Sequence, residues 1–402
     1  MSFAIAFIPI YIVACLYLRW QLIWWIKKTE WGAKRTQKPL AVILLVIDMV
    51  PIAGALLPEG TIDAILQKFG NVWVALTVAG AMTLLVAHAV KHFIKPITHK
   101  KALVVVATVI LFTSAYCTYG FVHAQHIYTH YYAVEINKDG TKLIEQQLGA
   151  KERYQADGAK ITRIALLADL HMGVNSRLST ATKMVDIVND AKVDYVIGAG
   201  DYFTSSYAGL FYAYKYANVL AKMAEHSKGC YFAYGNHDVT EPLFCGFAIK
   251  KPSEVVRNEG MERFFATCKW CMLDDSEIDI DGIQCYFRAD ASKTGDGKNI
   301  RKSEEELLKD ADCSKPIMVI QHEPDELSIL QKNGVDLELS GHTHDGQIWP
   351  GNWFTRLKAE NAHGYKDVDG MGSIVSSGAG YFGPPMRVGT HSEVVIIDLI
   401  QK

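Results

Sequence analysis

Seven side chains that can bind metal ions stand in five short strings between residues 168 and 344. They combine carboxylates, imidazoles and one carboxamide: Asp169, His171, Asp201, Asn236, His322, His342 and His344. Asp and His offer anionic oxygen and neutral nitrogen, and the absence of cysteine from all five strings argues against a structural thiolate site. The set suits two divalent ions of the borderline or hard kind, such as Mn²⁺, Zn²⁺ or Fe.

Two neighbouring dications repel each other unless an anion lies between them. Asp201 stands alone after its apolar run and is the natural bridge. Two carboxylates against two dications leave an excess of positive charge, which favours a phosphate group. Because a metal-bound water has a pKa near ~7, and ions about 3.5–4 Å apart support in-line attack on phosphorus, these residues predict a phosphoesterase.

Most of the strings follow a short apolar run that is typical of a buried strand. The runs span residues 164–168, 193–197, 230–234, 316–320 and 335–339. Helical patterning at 179–191 and 208–226 separates the first three, which predicts βαβ units. The carboxyl ends of such strands meet at one edge of a sheet, so side chains far apart in sequence are expected to converge there.

The five strings are Ala-Asp-Leu-His-Met-Gly (168–173), Gly-Ala-Gly-Asp (198–201), Tyr-Gly-Asn-His-Asp (234–238), Ile-Gln-His-Glu-Pro (320–324) and Ser-Gly-His-Thr-His (340–344). In this order they resemble the motifs of the calcineurin-like metallophosphoesterase superfamily. The string at 340–347 resembles its membrane-tethered bacterial branch, which is similar to Tat-exported phosphoesterases and UDP-2,3-diacylglucosamine pyrophosphatases. The resemblance implies an α/β domain over 161–402, with two stacked mixed β-sheets flanked by helices.

The same resemblance implies a role for each residue. Asp169, His171, Asp201 and His344 would hold one metal, and Asp201, Asn236, His322 and His342 the other, with a metal-bridging hydroxide as the nucleophile. His237 would face the substrate phosphate, and Asp238 would orient its ring.

Three further features near the strings carry expectations. Arg387 follows a glycine-rich turn and is predicted either to contact a substrate phosphate or to cap the closing sheet. Asp345 stands where many relatives carry Gly, and it adds negative charge beside the site. Residues 351–371 are predicted to form loops over the metal edge, between the strings and the last strands at 373–377 and 393–399.

The first 125 residues have a different composition and predict a four-helix transmembrane anchor. Four apolar runs lie at 3–26, 40–57, 72–90 and 102–122, and about 20 apolar residues are needed to cross a bilayer. Arg19 and Asp48 fall at similar depth and either pair or are separately solvated. The net charge of −2 gives no hint of a nucleic-acid partner.

Loop charge predicts the orientation of this anchor. The first loop is rich in lysine, and the third carries Lys91, Lys95, Lys100 and Lys101 without an acid. Because basic loops stay in the cytoplasm, the domain after the fourth span should be extracytoplasmic. Such tethering suggests a phosphorylated lipid or envelope substrate. The alternative is a non-catalytic membrane sensor or scaffold that binds metal or phosphate.

The stretch after the fourth span is interpreted as a juxtamembrane linker over 126–160, or in part as a first hairpin. Spacings of three and four place His123, His126 and His130 near one helical face, as a metal site or as part of an interfacial aromatic belt. Six cysteines in the C-terminal domain permit disulfides. They are Cys230, Cys245, Cys268, Cys271, Cys285 and Cys313.

Overall fold

The computed structural model describes residues 3–29, 34–57, 60–138, 140–241, 243–244, 247–248, 256–298 and 300–402. The chain divides into two compact units. The first comprises Met1–Val122, Pro242–Lys250 and Gly383–Met386, and the second comprises His123–Glu241, Lys251–Phe382 and Arg387–Lys402.

The N-terminal helices are α1 (Phe3–Ile26), α2 (Lys34–Asp48), α3 (Val50–Leu56), α4 (Thr61–Val90) and α5 (His99–His123). Four segments are long and apolar enough to cross a membrane: Pro9–Ile26, Gln37–Leu56, Thr61–Val90 and His99–His123. Many of their large apolar side chains are exposed, such as Ile10, Val42 and Leu111. An apolar outer surface of this kind suits a lipid environment, so the expected four-helix anchor is confirmed.

The two charged residues predicted at similar depth form an ion pair. Arg19 Nη2 lies 2.6 Å from Asp48 Oδ2, and Trp73 Nε1 donates to Asp48 Oδ1 at 3.0 Å. Pairing offsets the cost of holding a charge at this depth. Of the two sequence interpretations, pairing is therefore the one that the structure contains.

The remaining helices are α6 (Leu178–Asp190), α7 (Ala213–Leu220), α8 (Lys222–His226), α9 (Glu259–Thr267), α10 (Glu304–Leu308), α11 (Leu327–Lys332) and α12 (Gly351–Lys358). The strands are β1 (Ile127–Asn137), β2 (Gly140–Leu148), β3 (Lys160–Leu167), β4 (Tyr195–Ala199), β5 (Gly229–Ala233), β6 (Leu243–Phe244), β7 (Phe247–Ala248), β8 (Cys271–Leu273), β9 (Ser276–Ile280), β10 (Ile283–Phe287), β11 (Ile317–Ile320), β12 (Leu337–Ser340), β13 (Gly364–Val368), β14 (Met371–Val375) and β15 (Ser392–Gln401).

The second unit contains two mixed sheets. A seven-stranded sheet has the order β2-β1-β15-β3-β4-β5-β8, and a six-stranded sheet has the order β13-β14-β12-β11-β10-β9. Strands β3, β4 and β5 run parallel to one another, as do β10, β11, β12 and β14. The fold class predicted from the sequence, two stacked mixed sheets with flanking helices, is confirmed.

Successive side chains along a central strand point alternately into two hydrophobic cores, one on each face of the sheet. In β3, Ile164 and Leu166 enter the core shared by the two sheets, whereas Ala165 and Leu167 face the core under helices α6 to α9. Successive strand residues point to opposite faces, so a strand covered on both faces must be apolar throughout. This explains why the apolar runs identify these strands so clearly.

Two expectations about connecting segments are wrong. Residues 126–160 are not a linker, because β1 pairs with β15 and β2 pairs with β1, as the hairpin alternative proposed. Residues 351–371 contain α12 and β13 as well as loops.

The shared helical face of the histidines and the disulfides that the cysteine count permits are not found among the described residues, and free thiols, the alternative to disulfides, are. Helix α5 ends at His123, and His130 lies on β1, so the three histidines do not share a helical face. Every cysteine that the structure describes is a free thiol. Cys245 lies outside the described residues.

Candidate metal centre

The seven predicted ligands follow the carboxyl ends of strands from both sheets. Asp169 and His171 come after β3, Asp201 after β4 and Asn236 after β5. From the second sheet, His322 follows β11, while His342 and His344 follow β12. The rigid core thus holds the start of each ligand loop.

The backbone at most of these positions is strained. Five ligand candidates have a positive φ, between 43° and 69°: Asp169, His171, Asp201, His342 and His344. Residues other than glycine adopt this left-handed conformation at a cost, and they are concentrated at functional sites. The turns direct side chains into the space beyond the sheet edge at the expense of local stability.

Two glycines allow the ligand loops to approach one another. A Cβ atom on Gly341 would lie 2.3 Å from Asp169 Oδ2, and one on Gly235 would lie 2.3 Å from Asp201 Oδ1. No side chain fits at either position without moving a carboxylate. The glycines in the strings at 234–238 and 340–344 are therefore explained by packing.

The first group consists of Asp169, His171 and His344. His171 Nε2 lies 2.9 Å from His344 Nε2, and Asp169 Oδ1 lies 3.4 Å from His344 Nε2 and 3.8 Å from His171 Nε2. Asp169 Oδ2 accepts a hydrogen bond from the amide of His342. One carboxylate oxygen thus fixes a loop, and the other faces two imidazole nitrogens.

The second group is built around Asp201 and His322. His322 Nε2 lies 3.1 Å from Asp201 Oδ2 and 3.2 Å from Nδ1 of His342, which is the exposed member of the set. The other ring nitrogen of His322 contacts the carbonyl of Ala199 at 2.8 Å, which leaves Nε2 for the site. Asp201 Oδ2 also lies 3.6 Å from His171 Nε2, between the two groups.

These residues fit a pair of metal ions, as two buried oxygen atoms indicate. Asp169 Oδ1 and Asn236 Oδ1 are buried and have no hydrogen-bond partner. A buried acceptor left unpaired costs about 1–3 kcal/mol, so such atoms need an explanation. Cations at the two groups would supply the missing partners.

Two imidazoles of the first group are in the charge state that a metal ion requires. Burial lowers the pKa of His171 to about 4 and that of His344 well below its usual value, so both rings are neutral near pH 7. Burial raises the pKa of Asp169 to about 7. Burial alone would raise the pKa of Asp201, but His322, His237 and His171 together outweigh burial and hold it well below its ordinary value. Asp201 in turn raises the pKa of His322 well above its usual value. Neutral imidazole is the form that binds a metal.

His237 stands beside both groups and has an orienting partner of its own. Its ring centroid lies 5.4 Å from that of His171, and its Nδ1 lies 2.7 Å from the hydroxyl of Ser205. Ser205 also donates to Glu241 at 3.3 Å, and Glu241 is paired with the buried Lys293. The serine hydroxyl therefore accepts from His237 Nδ1, which leaves Nε2 for the site.

The expectation that Asp238 orients the His237 ring is wrong. The carboxylate of Asp238 accepts backbone N–H groups from Asp201, Tyr202, Phe203 and Gly235, at 2.8 to 3.1 Å. Four such bonds occupy both oxygens. Asp238 therefore supports the loop that carries Asp201. The role predicted for Asp238, which is to orient the His237 ring, belongs to Ser205.

Arg387 is fully buried beneath the site and donates to main-chain carbonyls. Its guanidinium contacts the carbonyl oxygens of Ser377, Gly378, Gly380 and His344. These contacts favour the capping alternative over the phosphate-binding one, because they occupy the donors of the guanidinium.

Asp345 does not leave an uncompensated charge beside the metals. Arg356 of α12 approaches both of its carboxylate oxygens, at 3.1 and 3.0 Å. The sequence did not predict that Asp345 and Arg356 would pair, because residues 351–371 were expected to be irregular loops.

Three residues near His237 escaped sequence reasoning: Ser205, Lys293 and Phe382. The Phe382 ring lies 5.0 Å from His237 and 5.4 Å from His171, and forms an apolar wall beside the imidazoles. None of the three belongs to a motif, although Ser205 lies only four residues after Asp201 in a left-handed conformation.

Comparison with known proteins agrees with this geometry. Residues 162–346 match the family described as "Calcineurin-like phosphoesterase". An uncharacterized metallophosphoesterase from Helicobacter pylori is 30% identical over 60% of this chain and 61% of its own length. A transmembrane protein with metallophosphoesterase domain from Danio rerio is 29% identical over 60% of this chain and 53% of its own. The phosphodiesterase YaeI of Escherichia coli is 26% identical over 48% of this chain and 64% of its own.

Residues 162–346 therefore form a calcineurin-like metallophosphoesterase domain, which follows four helical segments that are long and apolar enough to cross a membrane. The chain spans less than two thirds of the length of each of these three relatives.

Proposed function

We propose that this protein is a membrane-anchored phosphoesterase that depends on two divalent metal ions. The observation that carries the proposal is the convergence of two carboxylates and four imidazoles, with the buried Asp169 Oδ1 left without a hydrogen-bond partner among them.

Each ligand candidate takes a defined place in this proposal. Asp169, His171 and His344 hold one ion, while Asn236, His322 and His342 hold the other, and Asp201 lies between them. When bound, the ions neutralise phosphate charge and lower the pKa of a coordinated water.

His237 is the proposed catalytic residue that is not a metal ligand. Because Nδ1 donates to Ser205 and burial lowers the pKa of the ring well below its usual value, Nε2 is proposed to face the site as a proton acceptor. After it has taken a proton from water, it can stabilise negative charge on the phosphate or pass that proton to the leaving oxygen. Phe382 excludes water from one side of the imidazoles. Arg387 is proposed to position His344 and the glycine-rich turn, not the substrate.

The substrate is proposed to be a phosphodiester, phosphomonoester or pyrophosphate of a lipid or another envelope component. An anchor raises the local concentration of substrates near the bilayer without any new contact. The proposal for the substrate therefore rests on the four helices. The proposal for the chemistry rests on the cluster of ligand candidates.

The domain is proposed to be extracytoplasmic. Within the first unit, the loops after α1 and after α4 meet, because His99 Nδ1 contacts the carbonyl of Lys28 at 2.7 Å. The amino groups of Lys28 and Lys91 both lie over the ring of Trp24. Two basic loops at one end of the helices favour that end as cytoplasmic.

Fusions at the C-terminus test this orientation. In a bacterial host, alkaline phosphatase fused after Lys402 should be active and green fluorescent protein should be dark. The reverse pattern would place the domain in the cytoplasm.

The activity is tested with full-length protein purified in detergent. Protein loaded with Mn²⁺ should hydrolyse bis(p-nitrophenyl) phosphate, and His237→Ala should lose most of the rate while keeping its metal. His226→Ala, at the exposed end of α8, is the matched control and should behave as the wild type. Equal rates in the wild type and His237→Ala, neither above the background of Mn²⁺ alone, would instead indicate a protein that binds metal or phosphate without turnover.

A further inference from the structure

A second group of metal-binding side chains lies outside the centre described above. It consists of His130 on β1, His363 just before β13 and Glu393 on β15, whose ligand atoms all lie within 4.8 Å of one another. His363 Nε2 is 3.1 and 3.2 Å from the two oxygens of Glu393, and His130 Nδ1 contacts Glu393 Oε2. The three residues come from three separate elements.

The separations of His363 Nε2 from the two Glu393 oxygens match a coordination shell, whereas the direct contact between His130 and Glu393 is closer than two ligands of one ion and lengthens when an ion binds between them. With Zn–N and Zn–O bonds of about 2.0–2.2 Å, neighbouring ligand atoms of a tetrahedral zinc lie about 3.4 Å apart. Two imidazoles and one carboxylate are ligands that a borderline ion accepts, and they leave one coordination position open.

The group combines a buried anion with partly accessible nitrogens. The Glu393 side chain is 0% exposed, whereas His130 and His363 are 13% and 24% exposed. An ion therefore has a route from solvent to a carboxylate that is already fixed. Glu393 Oε1 accepts from the amide of Ser377 at 2.7 Å, which holds this carboxylate in place.

We propose that His130, His363 and Glu393 form a third metal site, which binds a borderline dication such as Zn²⁺. The site joins the two sheets, because β1 and β15 belong to the seven-stranded sheet and His363 leads into β13 of the other. It also supports the turn at 376–380, whose carbonyl oxygens receive Arg387 behind His344. The ion is structural, and the phosphoesterase centre functions beside it.

Metal stoichiometry tests the proposal. Full-length protein in detergent is stripped with EDTA, reloaded with Zn²⁺, desalted and analysed by mass spectrometry for zinc per chain. His363→Asn is expected to hold one equivalent less than the wild type, and His226→Asn to equal the wild type. His322→Asn damages the binuclear centre. The double variant His322→Asn/His363→Asn should hold one equivalent of zinc less than His322→Asn alone.

A second readout covers variants that fold poorly. In the His322→Asn background, Zn²⁺ should raise the melting temperature, and His130→Asn should remove that increase. Zinc-soaked crystals of the wild type should show anomalous density between His130, His363 and Glu393. Equal zinc content in folded His363→Asn and His226→Asn, or no density there, would mean that the three residues share only protons and would overturn the proposal.

Discussion

At the scale of single residues, the centre depends on side chains that divide their polar atoms between support and binding. Asp169 and Asp201 each fix a loop amide with one oxygen and direct the other into the cluster. His322 uses Nδ1 for a main-chain carbonyl and Nε2 for the site. This division orients each ligand before any ion arrives, which reduces the cost of binding.

Ser205 offers the most direct test of how His237 is oriented. Ser205→Ala removes the only side-chain hydroxyl that contacts Nδ1 among the described residues, while the metal ligands stay intact. Loss of one hydrogen bond of about 1.4 kcal/mol should lower kcat about tenfold, with KM and metal content unchanged. Ser206→Ala, one residue further along the loop, should keep the wild-type kcat. A changed metal content in Ser205→Ala would count against this role.

The buried carboxylate of Glu338 lowers the stability of the folded state by an amount that depends on pH. It is buried in β12, where Ser373 Oγ donates to it at 2.7 Å, and burial raises its pKa from 4.5 to about 7. A raised pKa means that ionisation is harder in the folded state than in the unfolded state. The cost is therefore absent below pH 4.5, grows as the pH approaches about 7, and is complete above it.

Replacing this carboxylate should stabilise the protein at alkaline pH. Glu338→Gln is expected to gain up to about 3 kcal/mol over the wild type at pH 8.5 and little at pH 4.5. Thermal melts of full-length protein at both pH values measure the difference. Glu305→Gln, on the exposed side of α10, should show no such pH dependence. An equal effect of Glu338→Gln at the two pH values would contradict the argument.

At the scale of elements, β1 is an integral strand of the domain. It pairs in parallel with β15 from Ile127↔Ser392 to Glu135↔Ile400. Its side chains enter both cores, with Tyr131 on one face and Tyr132 on the other. The hydroxyl of Tyr131 also donates to Asp398, which forms a buried ion pair with Arg163.

A fragment that begins at residue 150 should therefore fail to fold stably. It lacks five buried apolar side chains of β1: Ile127, Tyr131, Tyr132, Val134 and Ile136. At about 1.5 kcal/mol or more each, their loss approaches the ~5–15 kcal/mol that stabilises a typical domain. A fragment beginning at residue 124 should be soluble and melt cooperatively. Equal melting temperatures for the two fragments would show that β1 is dispensable.

At the scale of the whole molecule, the strained ligand loops couple stability to metal binding. Five ligand candidates occupy left-handed backbone, and two carboxylates lie among four imidazoles. A bound ion must supply part of the stability that these loops lack, since a ligand that binds only the folded state stabilises it.

Removal of metal should lower the stability of the full chain. Treatment with EDTA followed by dialysis is expected to reduce the melting temperature, and Mn²⁺ or Zn²⁺ at a thousandfold excess over Kd should restore about 4 kcal/mol. Ca²⁺ prefers oxygen ligands and should not restore it at the same concentration. Scanning calorimetry in detergent measures both effects. A melting temperature that ignores EDTA would contradict metal binding as the source of stability.

Several features followed from the sequence alone. The apolar runs predicted β3, β4, β5, β11 and β12, because a strand covered on both faces must be continuously apolar. The four spans followed from their length and composition, and the seven ligand candidates from their chemistry at strand ends. Each of these signals is local, so it can be read without knowing which elements meet.

Only the tertiary structure decided which groups face one another. It paired Asp345 with Arg356, gave His237 the hydroxyl of Ser205 instead of Asp238, and surrounded Arg387 with carbonyl oxygens. It also joined β1 to β15 and brought His130 beside His363 and Glu393, which lie more than 200 residues later. Such contacts depend on how distant elements pack, and no pattern within a single segment of the chain records that.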